Sequence, residues 1–129
     1  MSGVLIDTEM TIPISKQSTY PLEYHFRGAR SAMKPLVESI LTKLEAELPD
    51  FELKVGKAYI GLLHTLVFAA LHVQTKKVIV EFTSRKEVSS QRIVNSKQFQ
   101  KSRWAYYVEV TTPASFDAQL LRWIKGSYE

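Results

Sequence analysis

Apolar and polar positions along this chain change period twice. Residues 31–48 place Met33, Leu36, Val37, Ile40, Leu41, Leu44 and Leu48 at helical spacing, with Lys34, Glu38, Lys43, Glu45 and Glu47 on the remaining face. That spacing predicts a helix capped by Ser31, with Pro35 in its first turn and Pro49 closing it. Short runs rich in Val, Ile, Phe and Tyr then predict strands at about 51–55, 58–63, 66–73 and 78–83, separated by Gly56 and by the turn Gln74-Thr75-Lys76-Lys77. Val78, Val80 and Phe82 alternate with Ile79, Glu81 and Thr83, which gives one apolar face. The 66–73 run is apolar on both faces and suits a central place in a sheet. After a polar stretch, Trp104, Tyr106, Val108 and Val110 alternate with Ala105, Tyr107, Glu109 and Thr111 in a last strand. Thr112-Pro113 reads as the start of a closing helix, striped by Phe116, Leu120, Leu121, Ile124 and Tyr128.

Helix, four to five strands, helix, with hairpin-length connections, implies an antiparallel meander with both helices on one face. The expected fold is an α+β two-layer sandwich. Residues 24–129 form one domain in this reading, as 129 residues would suggest. Residues 1–23, broken by Pro13 and Pro21, show neither period and read as an N-terminal arm with few core contacts.

Two helices leave the other sheet face open. Parity puts either Phe68, Ala70 and His72 or Val67, Ala69 and Leu71 there beside Tyr107; the first set is favoured because it holds the one polar residue, and Tyr59 joins it if the register allows. Aromatics on an open face suit stacking of nucleobases. They also suit a homodimer interface, because monomers rarely expose a large apolar patch, and a homodimer is the expected assembly.

Charge adds a second feature. Residues 84–103 hold Arg85, Lys86, Arg92, Lys97, Lys101 and Arg103 against the single Glu87, a local +5 in a chain of net +4, which leaves −1 for the rest. Such a field attracts phosphates and other anions. Ser84-Arg85-Lys86-Glu87 matches a capping box, so a short helical turn is expected inside this basic connection.

Other chemistry is argued against. The chain has no cysteine, so no disulfide framework or thiolate metal site is available. His25, His64 and His72 form neither an i,i+4 pair nor an HExxH motif, so no metal site is expected. Scattered glycines make no phosphate-cradling loop, and no serine sits in a GxSxG elbow. No catalytic residue and no cofactor is assigned. The longest apolar run, Leu62 to Val73, is interrupted by His64, Thr65 and His72 and falls short of a membrane span. The first ten residues lack a basic n-region, so a secretory signal is not expected and cytoplasmic residence is.

From Tyr24 onward the chain resembles a bacterial domain of unknown function, number 5655, whose members are sometimes labelled predicted transport proteins. The likeness rests on His25-Phe26-Arg27-Gly28, Lys57-Ala58-Tyr59-Ile60, Phe68-Ala69, Val108-Glu109-Val110, Trp123-Ile124 and Ser127-Tyr128. The resemblance implies an α+β domain of unsettled function, and it carries over no catalytic residues.

The leading expectation is therefore a small, non-enzymatic binding module. Its ligand face would hold Lys57, Tyr59, Phe68, His72 and Tyr107, and the basic 84–103 segment would engage an anionic partner such as nucleic acid. One alternative is a homodimeric interaction module. Another is a small-molecule carrier or enzyme with a pocket between helices and sheet, organised by Lys57, Tyr59 and His72. Dialysis against a strong chelator is expected to leave the melting temperature unchanged, and a large drop would reveal three distant side chains converging on a metal.

Overall fold

A computed structural model describes residues 12–129, so the first part of the expected arm, residues 1–11, lies outside the described residues. The chain makes two short 3-10 turns, Leu22–Phe26 and Gly28–Met33, and then helix α1 (Lys34–Glu47). Strands β1 (Glu52–Val55), β2 (Ile60–His64), β3 (Leu66–Val73), β4 (Val78–Ser84), β5 (Ile93–Gln100) and β6 (Arg103–Val110) follow. A 3-10 turn at Pro113–Ser115 leads into helix α2 (Ala118–Tyr128). The strands form one antiparallel sheet of six in the order β1-β2-β3-β4-β6-β5.

Strand register explains which face is covered. Val55, Ile60, Leu71, Val80 and Val108 stand opposite one another across five strands. Leu53, Leu62, Ala69, Phe82 and Tyr106 make the parallel row. Both rows belong to one buried cluster with Leu36, Val37, Ile40, Leu41 and Leu44 of α1 and Leu120 and Ile124 of α2. Each fully buried aliphatic side chain contributes roughly 1.5–3 kcal/mol, far more than any single surface pair, so this cluster fixes the layer order.

Four expectations are corrected. The sheet has six strands rather than four to five, because residues 93–100 of the basic connection form β5. Among the described residues β5 pairs only with β6 and is exposed almost throughout, so nothing selects an apolar face and no alternation marks it. Ser84 starts no helix: its hydroxyl accepts from the Lys86 N–H and donates to the Lys86 carbonyl, which closes a local turn instead. Ser31 caps nothing, since Gly28–Met33 is a 3-10 turn and α1 begins at Lys34 without a side-chain cap. Thr112 caps only the turn at Pro113–Ser115, and α2 starts later, on Asp117, whose Oδ1 accepts from the Leu120 N–H at 3.1 Å.

The described part of the arm does more than its composition suggests. The Ser15 N–H donates to the Leu53 carbonyl at 2.8 Å, and the Leu53 N–H donates to the Pro13 carbonyl at 3.0 Å. Ser18 Oγ donates to the Leu53 carbonyl and accepts from the Val55 N–H. Ile12 and Ser15 are buried. The arm therefore satisfies the outer edge of β1, and Ile12 joins the core cluster with Tyr20 and Leu22 packed against it, which departs from the few core contacts expected of this stretch.

His25 ties the first 3-10 turn to the sheet. It is fully buried, and its Nε2–H donates to the Gly56 carbonyl at 2.7 Å. Burial is the main cause that holds its pKa below the ordinary 6.5; the Gly56 carbonyl acts in the opposite sense, and Arg30 and Arg27 add to the lowering. A folded-state pKa below the unfolded one means that the unfolded chain takes up the proton first. The stabilisation is thus complete above the ordinary 6.5 and is lost as pH falls below it. Thermal melts are expected to show a falling Tm across that window. His25→Gln keeps an N–H for Gly56, so it should lose this component of the pH slope while costing about 1–3 kcal/mol in packing. An unchanged slope would place the titration elsewhere.

Candidate functional site

The face away from the helices is built from the alternate register positions. Lys54, Gly61, Ala70, Glu81, Tyr107 and Asn95 stand in one row across the sheet. His72, Ile79 and Glu109 stand in the next, with Tyr59 at its end. The His72 Nε2–H donates to Glu81 Oε1 at 2.9 Å, and both side chains are about one-quarter exposed. The His72 ring lies between Tyr59 and Tyr107, with centroid separations of 5.6 and 6.1 Å. Burial first, and the neighbouring Glu81 carboxylate second, raise the Tyr107 phenol above its ordinary pKa of 10.0. Tyr59, His72 and Tyr107 are thus brought together. Glu81 joins them, and sequence reading missed it as a site residue. Its signal was present, since it is the one acid in an otherwise apolar and hydroxyl strand, β4.

The Phe68 side chain is not presented on this face, although the residue borders a hollow there. A bulge between Leu62 and Leu63 shifts the β2–β3 register, so Phe68 is buried in the core cluster, edge-on to Phe51 and Tyr128. One extra residue reverses which way the side chains beyond it point, and parity counted from a single strand cannot see that. Lys57 is also apart. It is exposed in the β1–β2 turn and makes no hydrogen bond to Tyr59 or His72.

A second region lies at the end of the sheet. Beyond the Thr83–Ala105 pair, the next positions on this face are Arg85, just past β4, and Arg103, the first residue of β6. Both arginines line a cleft of about 280 Å³ together with His64, Ser127 and Tyr128; Glu129 also borders it. Tyr128 is fixed by its hydroxyl, which donates to the Asp50 carbonyl at 2.8 Å, and His64 stacks on it at 4.4 Å. Ser127 Oγ accepts from the Thr83 N–H at 3.2 Å and donates to the Phe68 carbonyl. That hydroxyl spans the gap where the β3–β4 ladder ends, and it holds the cleft open. Thr65, on the cleft wall, is left-handed with φ 58°, which costs a β-branched residue about 1–2 kcal/mol. Strain of that kind persists only where surrounding structure enforces it, here the one-residue link between β2 and β3.

Arg103 is the sharpest feature. Its Nε is buried and has no hydrogen-bond partner among the described residues, while its guanidinium lies 5.9 Å from the Phe99 ring centre. Neither Arg85 nor Arg103 joins an ion pair among the described residues. An unmet charged donor is costly, and an anion would relieve it.

The other basic residues divide. Lys97 pairs with Ala105 on the open face, and Lys86 and Lys101 are exposed. Arg92 is engaged internally. It donates to Asp117 Oδ1 at 2.7 Å, to Gln119 Oε1 at 3.1 Å and to the Ser115 carbonyl at 2.7 Å. Arg92 and then the Leu120 N–H hold the Asp117 carboxyl below its ordinary pKa. The expected set of Arg85, Lys86, Arg92, Lys97, Lys101 and Arg103 therefore loses one member to the fold.

Residues 22–129 match the family described as Domain of unknown function (DUF5655). The chain belongs to this family. No curated protein and no solved structure matches it. The DUF5655 match takes in α1, the whole sheet and α2, and thus both regions of the candidate site. It starts after the stretch of arm that borders β1. Among the described residues no group of three or more His, Asp or Glu side chains converges as a metal site would require, and no helix is long and apolar enough to cross a membrane.

Arg92→Ala is expected to lower stability by about 1–2 kcal/mol in denaturant titration, since it breaks a charge-assisted cluster that is partly exposed. It should leave any salt dependence of anion binding unaltered. A flattened salt dependence would return Arg92 to the binding surface.

Proposed function

We propose that this protein is a small binding module for a phosphate-bearing partner, with single-stranded nucleic acid the class that best suits its surface. The observation that carries the reading is the pair Arg85 and Arg103, with the Arg103 Nε buried and unpartnered beside an open cleft. Guanidinium groups present several donors in a fixed fork that matches phosphate oxygens, so two of them make a phosphate subsite.

The aromatic and basic parts of the surface are continuous. Along β6 the open face runs Glu109, Tyr107, Ala105, Arg103, and Lys97 stands beside Ala105. At about 3.3 Å per residue, Tyr107 and Arg103 are roughly 13 Å apart along the strand. A flexible single strand laid along β6 would set its backbone against Arg85, Arg103 and Lys97 and its bases over Tyr107, His72 and Tyr59. Base–aromatic stacking then supplies sequence-tolerant affinity, while the cations supply attraction at a distance.

Self-association through the open face draws less support. Among the described residues the large exposed apolar side chains are Ile14, Tyr59, Leu66, Val94 and Phe99, which are spread over the arm, the β1–β2 turn, the start of β3 and β5. They form no single patch on that face of the kind that marks an obligate interface.

Fluorescence anisotropy with a labelled mixed-sequence oligonucleotide tests the reading. Wild type is expected to bind at low salt, with log K falling linearly in log salt. Arg85→Ala with Arg103→Ala should flatten that slope by about 0.7 for each phosphate that the variant no longer neutralises. Absence of binding by the wild type at low salt would overturn the nucleic-acid reading.

A further inference from the structure

The open face carries a small hollow whose polarity opposes that of its surroundings. It holds about 110 Å³ and is lined by Tyr59, Val67, Phe68, Ala69, Ala70, Glu81 and Thr83. Ala70 is buried although no helix covers it, and Gly61, its partner on β2, is buried too, so no long side chain rises from these two positions. A Cβ on Gly61 would stand 3.4 Å from Tyr59 Cε1 and 3.2 Å from the Lys54 carbonyl. The absent side chain therefore lets Tyr59 lie low over the strand as a wall. The hollow is smaller than the ~150 Å³ cavity that takes one benzene ring, so a flat ring would enter it by one edge and leave the rest in the open.

Glu81 supplies the acceptor. Its Oε1 takes the His72 Nε2–H, which fixes the carboxylate in one orientation, and the Tyr107 ring stands opposite it on β6. Two carboxylate oxygens offer about four lone-pair sites, so acceptor capacity remains after His72 and the neighbouring Tyr107 phenol are counted. The Thr83 hydroxyl donates to Ser127 Oγ at 2.6 Å and adds a further acceptor at the same end.

The surrounding charge selects the ligand. Lys54 stands in the same row as Glu81, and Lys97, Arg85 and Arg103 stand further along the face. The other acids there are Glu52 on the outer strand and Glu109, which is engaged by Lys77 at 2.7 Å. A cationic peptide would find one carboxylate inside a repelling field. A polyanion that carries a flat ring with adjacent N–H donors would satisfy both the field and the hollow.

We propose that the Tyr59–Glu81–Thr83 hollow is a base-selective subsite, which takes a single guanine of a single-stranded nucleic acid. The ring stacks on Tyr59, and its N1–H and N2 amino group donate to the Glu81 carboxylate. Adenine presents a ring nitrogen acceptor at the corresponding edge and would face the carboxylate lone pair to lone pair. Thymine and uracil offer one N–H flanked by carbonyls. Carboxylates are known to accept from base amino groups, and a good two-point contact discriminates between bases by roughly 5- to 100-fold. His72 is the positioning residue, because its hydrogen bond holds Glu81 in place.

This subsite rests on the nucleic-acid reading above, and the experiment separates the two. Labelled thymine oligonucleotides bearing one central guanine, adenine, cytosine or hypoxanthine are titrated into wild type, Glu81→Gln and Tyr59→Ala at fixed low salt. Hypoxanthine lacks the N2 amino group. Wild type is expected to bind the guanine oligonucleotide at least about 5-fold more tightly than the adenine or hypoxanthine ones. Glu81→Gln should bind guanine and adenine equally, with its salt slope and Tm unchanged. Tyr59→Ala should weaken the guanine oligonucleotide most, because the stack that holds the ring against Glu81 is lost. Equal wild-type affinity for the four, or a guanine preference that survives Glu81→Gln, would overturn the subsite and leave general phosphate binding standing. Loss of all oligonucleotide binding, or Glu81-dependent capture of a lysine-rich peptide instead, would overturn both.

Discussion

One-sided burial of the sheet is the constraint on which the rest of this structure depends. The rows through Leu71 and Val80 and through Leu62 and Phe82 are buried with the stripes of α1 and α2, and that burial dominates the folding energy. Once those positions are committed, period-2 geometry assigns every intervening residue to the opposite face. Glu81, His72 and Tyr107 stand there because Val80, Leu71 and Val108 cannot. The candidate site is thus the complement of the core, position for position.

Two local devices bend that rule at the end of the sheet. The bulge in β2–β3 turns Phe68 inward, and the Ser127 hydroxyl occupies the ladder position that Phe68 and Thr83 would otherwise share. Phe68 then supports Tyr128, and Tyr128 supports His64. The cleft beside Arg85 and Arg103 exists because the strands part there. A continuous ladder would have closed it.

The layer architecture was legible in the residues because it rests on periodicity. Leu36, Val37, Ile40, Leu41 and Leu44 are the buried stripe of α1, as their spacing requires. The 66–73 run, apolar on both faces, lies inside the sheet with neighbours on either side. β5 was hidden because an edge strand exposed on both faces has no reason to alternate. The roles of Ser84, Ser31 and Thr112 were misplaced because a hydroxyl serves a turn as readily as a helix, and only the backbone that follows decides between them. The aromatic part of the site was legible through parity, with Phe68 lost to a single inserted residue. Arg92 shows the limit of counting charge. Six cations share one segment, yet Asp117, fourteen residues beyond its end, claims one of them.

The two margins of the sheet are finished differently, and the difference bears on how the molecule behaves when crowded. At β1 the arm occupies the outer backbone groups. At β5 no strand among the described residues does, but the register slips at Ile93–Asn95 and again at Gln98–Gln100, with Lys97 between. Bulges and lysine are the means by which natural sheets spoil the straight ribbon that another chain would need for growth. Both devices work against edge-to-edge growth, and on the second margin they do so beside exposed Val94 and Phe99. Loss of Lys97, or of the irregularity around Phe99, would cost the fold little and its colloidal behaviour a great deal.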